Sequence, residues 1–224
     1  MAYQSRVSDA VVRRLPVYYR HLVELEKNGV ERISSRELGE RMNTTASQIR
    51  QDINCFGGFG QQGYGYHVSS LRQHMAAILG IDKVYKAVIV GAGNIGHAVA
   101  GYKGFERDGF RLVGIFDADP AAVGTGCGEL IIQPVSALEE FLESVRVDVG
   151  VIAVPVDAAQ SVADMLVRGG VRALWNFAPM DIQHPDSVVS THVHLSDSLH
   201  ILTYKMNEEA LFKRIAERQQ AERE

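Results

Sequence analysis

Apolar positions recur at helical spacing along the first 80 residues. Val12, Leu15, Tyr19, Leu22 and Leu25 fall three or four apart. They predict an amphipathic helix capped by Ser8 or Asp9 and ended at Asn28-Gly29. Pro16 lies inside that stretch and predicts a kink or a restarted helix. Ser34-Ser35-Arg36-Glu37 is a capping box that opens a short helix through Leu38 to Met42. Asn43-Thr44 breaks it, and Thr45-Ala46-Ser47-Gln48 is a second box. The helix it opens turns Ile49 and Ile53 inward at i, i+4 spacing. Two short capped helices across a tight turn read as helix-turn-helix. From Phe56 to Tyr66 glycines alternate with aromatics and amides. Glycine admits left-handed turns and aromatics suit strands, which predicts a β-hairpin, the wing of a winged helix. His67 to Leu79 predicts one more helix, and Gly80-Ile81-Asp82 a domain boundary.

From Tyr85 the period changes. Ala87-Val88-Ile89-Val90 is a buried strand, and Leu112–Asp117, Val147–Pro155, Val171–Phe177 and Val188–Leu195 are further strands. Helical stretches lie between them near 94–104, 137–145 and 158–168, with Ser136-x-x-Glu139 and Asp157-x-x-Gln160 as caps. This alternation predicts a mostly parallel sheet covered on both faces, an α/β fold. The tail, 196–224, is charged and helical, and its apolar positions include Leu199, Leu202, Met206, Leu211, Phe212 and Ile215. The expected organisation is a winged-helix domain over 1–80, a Rossmann domain over 81–195 and a helical segment over 196–224.

Composition narrows the function classes. Hydrophobic residues make up 46% and charged residues 22% of 224 residues, which is globular composition. The apolar runs are strand-sized, far short of the roughly 20 residues a bilayer needs. The first residues carry no apolar signal core, which predicts a cytoplasmic protein with no membrane partner. Two cysteines, Cys55 and Cys127, allow no disulfide framework or four-cysteine zinc site. The net charge of −4 hides an asymmetry: residues 1–80 hold ten Lys/Arg and seven Asp/Glu. A basic N-terminal third on an acidic body points to a polyanion met only by that third.

Gly91-Ala92-Gly93-Asn94-Ile95-Gly96 is the most informative stretch. It follows a buried strand and opens a helix, as dinucleotide binding requires. The first Gly makes the tight turn, the second lets backbone approach a pyrophosphate, and the third packs helix on strand. The helix N-terminus adds partial positive charge. An acid is expected about 20 residues on. Asp117 closes Val113–Asp117, 21 residues past Gly96, and ranks ahead of Asp119-Pro120. No Arg directly follows Asp117, so NAD(H) is favoured over NADP(H). Val154-Pro155 and Asn176-Phe177-Ala178-Pro179 sit at other strand ends, where ligands of such sheets bind. There Asn176 can hydrogen-bond a carboxamide and Phe177 can wall a ring; equally, Pro and Asn can simply end strands.

At this point the chain resembles the redox-sensing transcriptional repressor Rex family. The carriers are Arg14-Leu15-Pro16-Val17-Tyr18-Tyr19-Arg20, Ser34-Ser35-x-x-Leu38, Gln48-Ile49-Arg50-Gln51-Asp52, Phe59-Gly60-x-x-Gly63-Tyr64-Gly65-Tyr66, the Gly91–Gly96 loop, Phe116-Asp117-x-Asp119-Pro120 and Asn176–Pro179. The resemblance implies a winged helix, a Rossmann domain and a C-terminal helix exchanged between the subunits of a homodimer. It implies a repressor that senses the NADH/NAD+ ratio and leaves an inverted-repeat operator in double-stranded DNA when NADH binds. Arg50 then lies on the recognition helix beside Ser47, Gln48 and Gln51, with Gln61, Gln62 and Tyr64 on the wing. Arg can bond guanine O6/N7, and Gln can pair with adenine. Tyr102 and Phe105 match an aromatic pair placed near the nicotinamide and the dimer interface; they equally suit a helix-end core.

Two positions depart from the family pattern. Gln61-Gln62 stand where many members carry a basic pair, which predicts a shallower salt dependence. His194 stands where many have Asp, paired with an Arg aligned with Arg20 and with the Tyr at Tyr102. A protonated His there would repel cationic NAD+ further; the alternative is a surface strand residue. His192-x-His194 lacks a third ligand at a recognisable spacing, so no metal is expected. No catalytic residues are expected either. The rival function is an NAD-dependent oxidoreductase, against which no substrate domain, Ser-x-x-x-Tyr-x-x-x-Lys run or His/Asp dyad appears. A CoA-binding type of nucleotide module is the third reading, and it leaves the capped helices unexplained.

Overall fold

The computed structural model describes residues 7–57 and 64–221. The chain divides into two compact units, residues 1–85 with 103–111, and residues 86–102 with 112–224.

In the first unit α1 (Asp9–Lys27) runs unbroken through Pro16, so no restart occurs there. Its buried stripe is Val11, Leu15, Tyr18, Leu22 and Leu25, one position off the expected face at two places: Val12 is exposed and Tyr19 half-buried. Ser34 and Glu37 close the full capping box of α2 (Ser35–Arg41). Hydrogen bonds from the Ser34 backbone and hydroxyl hold the Glu37 carboxyl below its usual range. The next box forms by half. Thr45 Oγ1 accepts from Gln48 N at the start of α3 (Ala46–Asn54), but the Gln48 side chain turns elsewhere. The turn between α2 and α3 holds Asn43 at φ 52°. A Cβ on Gly39 would come within 2.8 Å of the Thr44 carbonyl, so the tight crossing needs glycine there. Positions 58–63 of the expected hairpin over 56–66 lie outside the described residues. Strand β2 (Tyr66–His67) pairs antiparallel with β1 (Arg32–Ile33), which precedes α2. Helix α4 (Val68–Leu79) ends at left-handed Gly80 and completes a core with Ile33, Leu38, Ile49 and Ile53.

The second unit carries most of a seven-stranded sheet. Its strands are β3 (Tyr85–Val90), β4 (Phe110–Asp117), β5 (Gly126–Cys127), β6 (Leu130–Pro134), β7 (Val149–Ile152), β8 (Ala173–Asn176) and β9 (Val189–His192), in the order β5-β6-β4-β3-β7-β8-β9. The pairs β3–β7, β4–β6, β7–β8 and β8–β9 are parallel, and β5–β6 is antiparallel. Side chains alternate across β3: Val88 and Val90 join α6 (Leu138–Ser144) and α7 (Val156–Arg168) in one core, and Ile89 joins Ile115, Ile132 and Val151 in another. Two expected caps do not form. Ala137 and Pro155 occupy the N-cap positions of α6 and α7 without side-chain caps. Gln160 instead bonds Asp164 and the Gln183 backbone. Helix α5 (Asn94–Ala100) is shorter than the expected 94–104. Helix α8 (Leu195–Ala221) starts at the residue that the sequence pattern placed at the end of a strand.

Candidate dinucleotide and DNA sites

Strand order reverses at β3. The chain leaves β3 for β4 on one side and returns to β7 on the other. Ligands of such sheets bind in the crevice at that reversal. The glycine loop springs from it. Gly91 N donates to Phe116 O at 2.8 Å, and Ala153 N to Val90 O at 2.8 Å. Gly91 has φ +101°, and a Cβ there would strike the Ala153 carbonyl, so only glycine fits. A Cβ on Gly96 would collide with the Gly91 carbonyl, which keeps α5 close on the strand end. Gly93 is the opposite case: a Cβ there meets no atom within 4 Å. Its exposed backbone at the N-cap of α5 leaves open the side from which a pyrophosphate would approach, and the residues present fit a dinucleotide.

Asp117 is tied to the backbone of the loop. Its Oδ2 accepts from Ala92 N and its Oδ1 accepts from Asp119 N at 2.7 Å, bracing the loop against the end of β4. Each oxygen keeps a lone pair for a ribose hydroxyl. Asn94 is exposed and Ile95 half-buried beside the loop. Val154 is half-buried, its Cγ1 3.0 Å from where a Gly91 Cβ would stand, and Pro155 is exposed.

Asn176 is fully buried, and its amide is committed inside its own loop. Oδ1 accepts from Ala178 N at 2.9 Å; Nδ2 lies 2.7 Å from Met180 O, 3.1 Å from Ala178 O and 3.1 Å from His192 Nδ1. It shapes the Phe177–Met180 turn from beneath, and its amide atoms already have partners in that turn and at His192. Ala178 is buried; Phe177 is half-buried, its ring 4.8 Å from Trp175. His192 Nε2 continues to Ser190 Oγ at 3.2 Å, and Ser190 Oγ to His184 Nε2 at 2.8 Å. The half-buried His194 ring lies nearly parallel to His192, centroids 6.3 Å apart. Sequence reading missed this chain, because only β8–β9 pairing aligns Asn176 with His192. Tyr102 is exposed in the second unit, whereas Phe105 is buried in the first, edge-on to Phe110 at 6.1 Å, as the helix-end core alternative has it.

In the first unit α3 turns Ser47, Arg50 and Gln51 outward, and Asn54 completes that face at the next turn, unforeseen although its i+7 spacing from Ser47 was readable. Arg50 Nη1 donates to Ser35 Oγ at 3.0 Å. The inner side holds a carboxylate. Asp52 is fully buried and accepts from Arg14 Nε at 2.6 Å, Arg14 Nη2 at 2.9 Å, Tyr18 Oη at 2.7 Å and Gln48 Nε2 at 2.7 Å. Burial pushes its pKa up, but the bonds from Arg14, Tyr18 and Gln48 outweigh that and hold it below the usual range. Burial and then Asp52 push the Tyr18 phenol up. Gln61 and Gln62 lie outside the described residues. Tyr64 is exposed, its carbonyl 3.4 Å from Arg32 Nη1.

Comparison with known proteins matches both halves of this description. Residues 6–54 match the family described as "Putative DNA-binding protein N-terminus", and residues 82–180 the one described as "CoA binding domain". The redox-sensing transcriptional repressor Rex of Thermoanaerobacter pseudethanolicus is 52% identical over 215 residues, 96% of either chain. The chain belongs to the Rex family. A crystal structure of RSP in complex with beta-NAD+ and operator DNA superposes with a TM-score of 0.89 at 52% identity, covering 95% of this chain and 98% of RSP. RSP in complex with beta-NADH gives 0.88 at 50% identity, covering 95% and 100%. Rex-family membership makes the chain a redox-sensing transcriptional repressor and not an enzyme, which removes the oxidoreductase reading. Among the described residues no helix is long and apolar enough to cross a membrane.

Proposed function

We propose that the chain works in the cytoplasm as a homodimer that represses transcription from an inverted-repeat operator and lets go when NADH binds. The open backbone at Gly93, in a loop that Asp117 braces at Ala92 at the sheet's reversal, carries the reading. Residues 1–80 serve as the DNA-binding domain, 81–195 as the NAD(H) domain and 196–224 as the dimerisation segment. The Gly91–Gly96 loop, with Ala92, Asn94 and Ile95, takes the pyrophosphate, and Asp117 the adenosine ribose. Val154, Pro155, Phe177, Ala178 and Tyr102 surround the nicotinamide end, shaped from below by Asn176 and flanked by His194. Oxidised nicotinamide is cationic and reduced nicotinamide neutral. Apolar walls therefore disfavour the oxidised form, each 1.4 kcal/mol giving a tenfold preference.

Helix α8 supports dimerisation. Leu195, Leu199, Leu202 and Met206 line one side, Ile201 and Tyr204 another, and all are more than half exposed in the single chain. A helix apolar on more than one side needs burial on more than one side. Exchange into a partner subunit supplies it. DNA contacts come from Ser47, Arg50 and Gln51 on α3 and from Gln61, Gln62 and Tyr64 on the wing. Two recognition helices of a dimer reach half-sites about one helical turn apart. DNA favours one dimer state and NADH the other, so each weakens the other by the same factor. A gel-shift titration on an AT-rich inverted repeat at fixed salt tests this. NADH should release the DNA at concentrations where NAD+ does not; equal retention with both refutes it.

A further inference from the structure

Helix α3 reaches toward a polyanion with a carboxylate buried in its inner face. Asp52 makes four hydrogen bonds to three side chains: Arg14 and Tyr18 from α1, and Gln48 from its own helix at i−4. An ionised carboxylate only accepts. The atom of Gln48 facing it at 2.7 Å must therefore be the donating Nε2, and the amide orientation is fixed by chemistry. Gln48 is half-buried on the first turn of α3, the part of a recognition helix that meets base edges. Among the described residues its Oε1 has no hydrogen-bond partner.

We infer that Asp52 is a positioning residue that sets base specificity, by holding the Gln48 amide in one orientation, with Nε2 inward on Asp52 and Oε1 left for the major groove. This rests on α3 being the recognition helix. A glutamine free to rotate pairs with adenine through both N6 and N7. Gln48 held this way offers Oε1 as its acceptor, with one of the two Nε2 hydrogens spent on Asp52. Oε1 favours bases with an exocyclic amine, adenine N6 or cytosine N4, over guanine O6/N7 or thymine O4, which offer it only acceptors. Arg14 and Tyr18 act at one remove, since they keep Asp52 ionised and fixed.

The experiment uses the full chain without NADH and a duplex that the protein itself selects from a randomised pool. Affinity is measured for every single-base variant of the selected half-site. At one position A or C should exceed G and T by about tenfold, and Gln48→Ala should flatten that position alone. Asp52→Asn should shift the position toward G or T. Its amide can donate to Gln48 Oε1, and that turns Nε2 outward. Thermal melting checks that Asp52→Asn folds; if it does not, the Gln48→Ala arm decides. Unchanged preferences in Gln48→Ala overturn the inference. So does a Gln48-dependent preference for G or T in the unsubstituted protein. Arg50→Ala separates the two levels. If it leaves base discrimination intact, or if the protein selects no sequence, the recognition-helix assignment itself fails.

Discussion

Replacing Gly93 by alanine separates cofactor binding from folding. The added methyl meets no protein atom within 4 Å, and φ −72°, ψ −167° suits any residue. Alanine lowers the entropy of the unfolded chain but caps a helix less well than glycine, so the two effects leave stability within about 1 kcal/mol. The melting temperature should then move by less than about 4 °C. The same methyl fills the space a pyrophosphate needs. Charge-assisted hydrogen bonds contribute about 1.5–3 kcal/mol each, so losing one weakens NADH binding about 10- to 100-fold. Gly96→Ala is the contrasting variant. Its Cβ would lie against the Gly91 carbonyl, with the carbonyl carbon at 2.9 Å, so helix and strand must separate. Such overpacking costs about 1–3 kcal/mol. Circular-dichroism melts, NADH fluorescence titrations and DNA retention read all three quantities. Gly93→Ala should melt normally, bind DNA normally and hold it at NADH concentrations that release the unsubstituted protein. A Gly93→Ala protein with normal melting and undiminished NADH affinity would refute the cradle.

Tyr18→Phe removes one bond to a buried carboxylate and should cost about 1–3 kcal/mol in urea unfolding of the first unit. The Asp52 carboxyl is held below its ordinary value of about 3.9. Its contribution to stability is therefore full above about pH 4 and lost as pH falls through the folded value. Unfolding measured down the acid limb should accordingly be less pH-dependent in Asp52→Asn than in the unsubstituted chain. Gln61→Lys with Gln62→Lys should steepen the log–log salt dependence of DNA binding by up to about 0.9 per added phosphate contact; a fixed slope would place those residues away from the backbone. Deleting residues 195–224 should yield monomers by light scattering and abolish operator binding at concentrations where the full chain binds.

How much was legible depended on whether the signal was local. The Ser34–Glu37 box, the Gly91–Gly96 loop and Asp117 at the end of β4 declare themselves within a few residues, and the structure forms each. The Leu130–Pro134 strand was missed, because five residues between Gly128 and a proline show no clear period. The α1 stripe shifted because Tyr18, not Tyr19, has a partner for its hydroxyl under α3. Arg14 and Tyr18, like Gln48 and Asp52, are visible as i, i+4 pairs, but their meeting spans 34 and 38 positions and needs the folded core. Asn176 looked exposed to ligand because its strand ends there. Only the neighbouring β9 and the following turn reveal that its amide is already in use.

The bracing of Ala92 by Asp117 constrains how this sensor could change its currency. An engineer seeking preference for the 2′-phosphorylated coenzyme would begin by exchanging that acid for a smaller or basic residue. Here the exchange would also unfasten the loop on which either coenzyme rests. Retargeting therefore calls for at least two coordinated changes, one admitting the extra phosphate and another re-anchoring the Ala92 amide. A single step yields a receptor impaired toward both coenzymes.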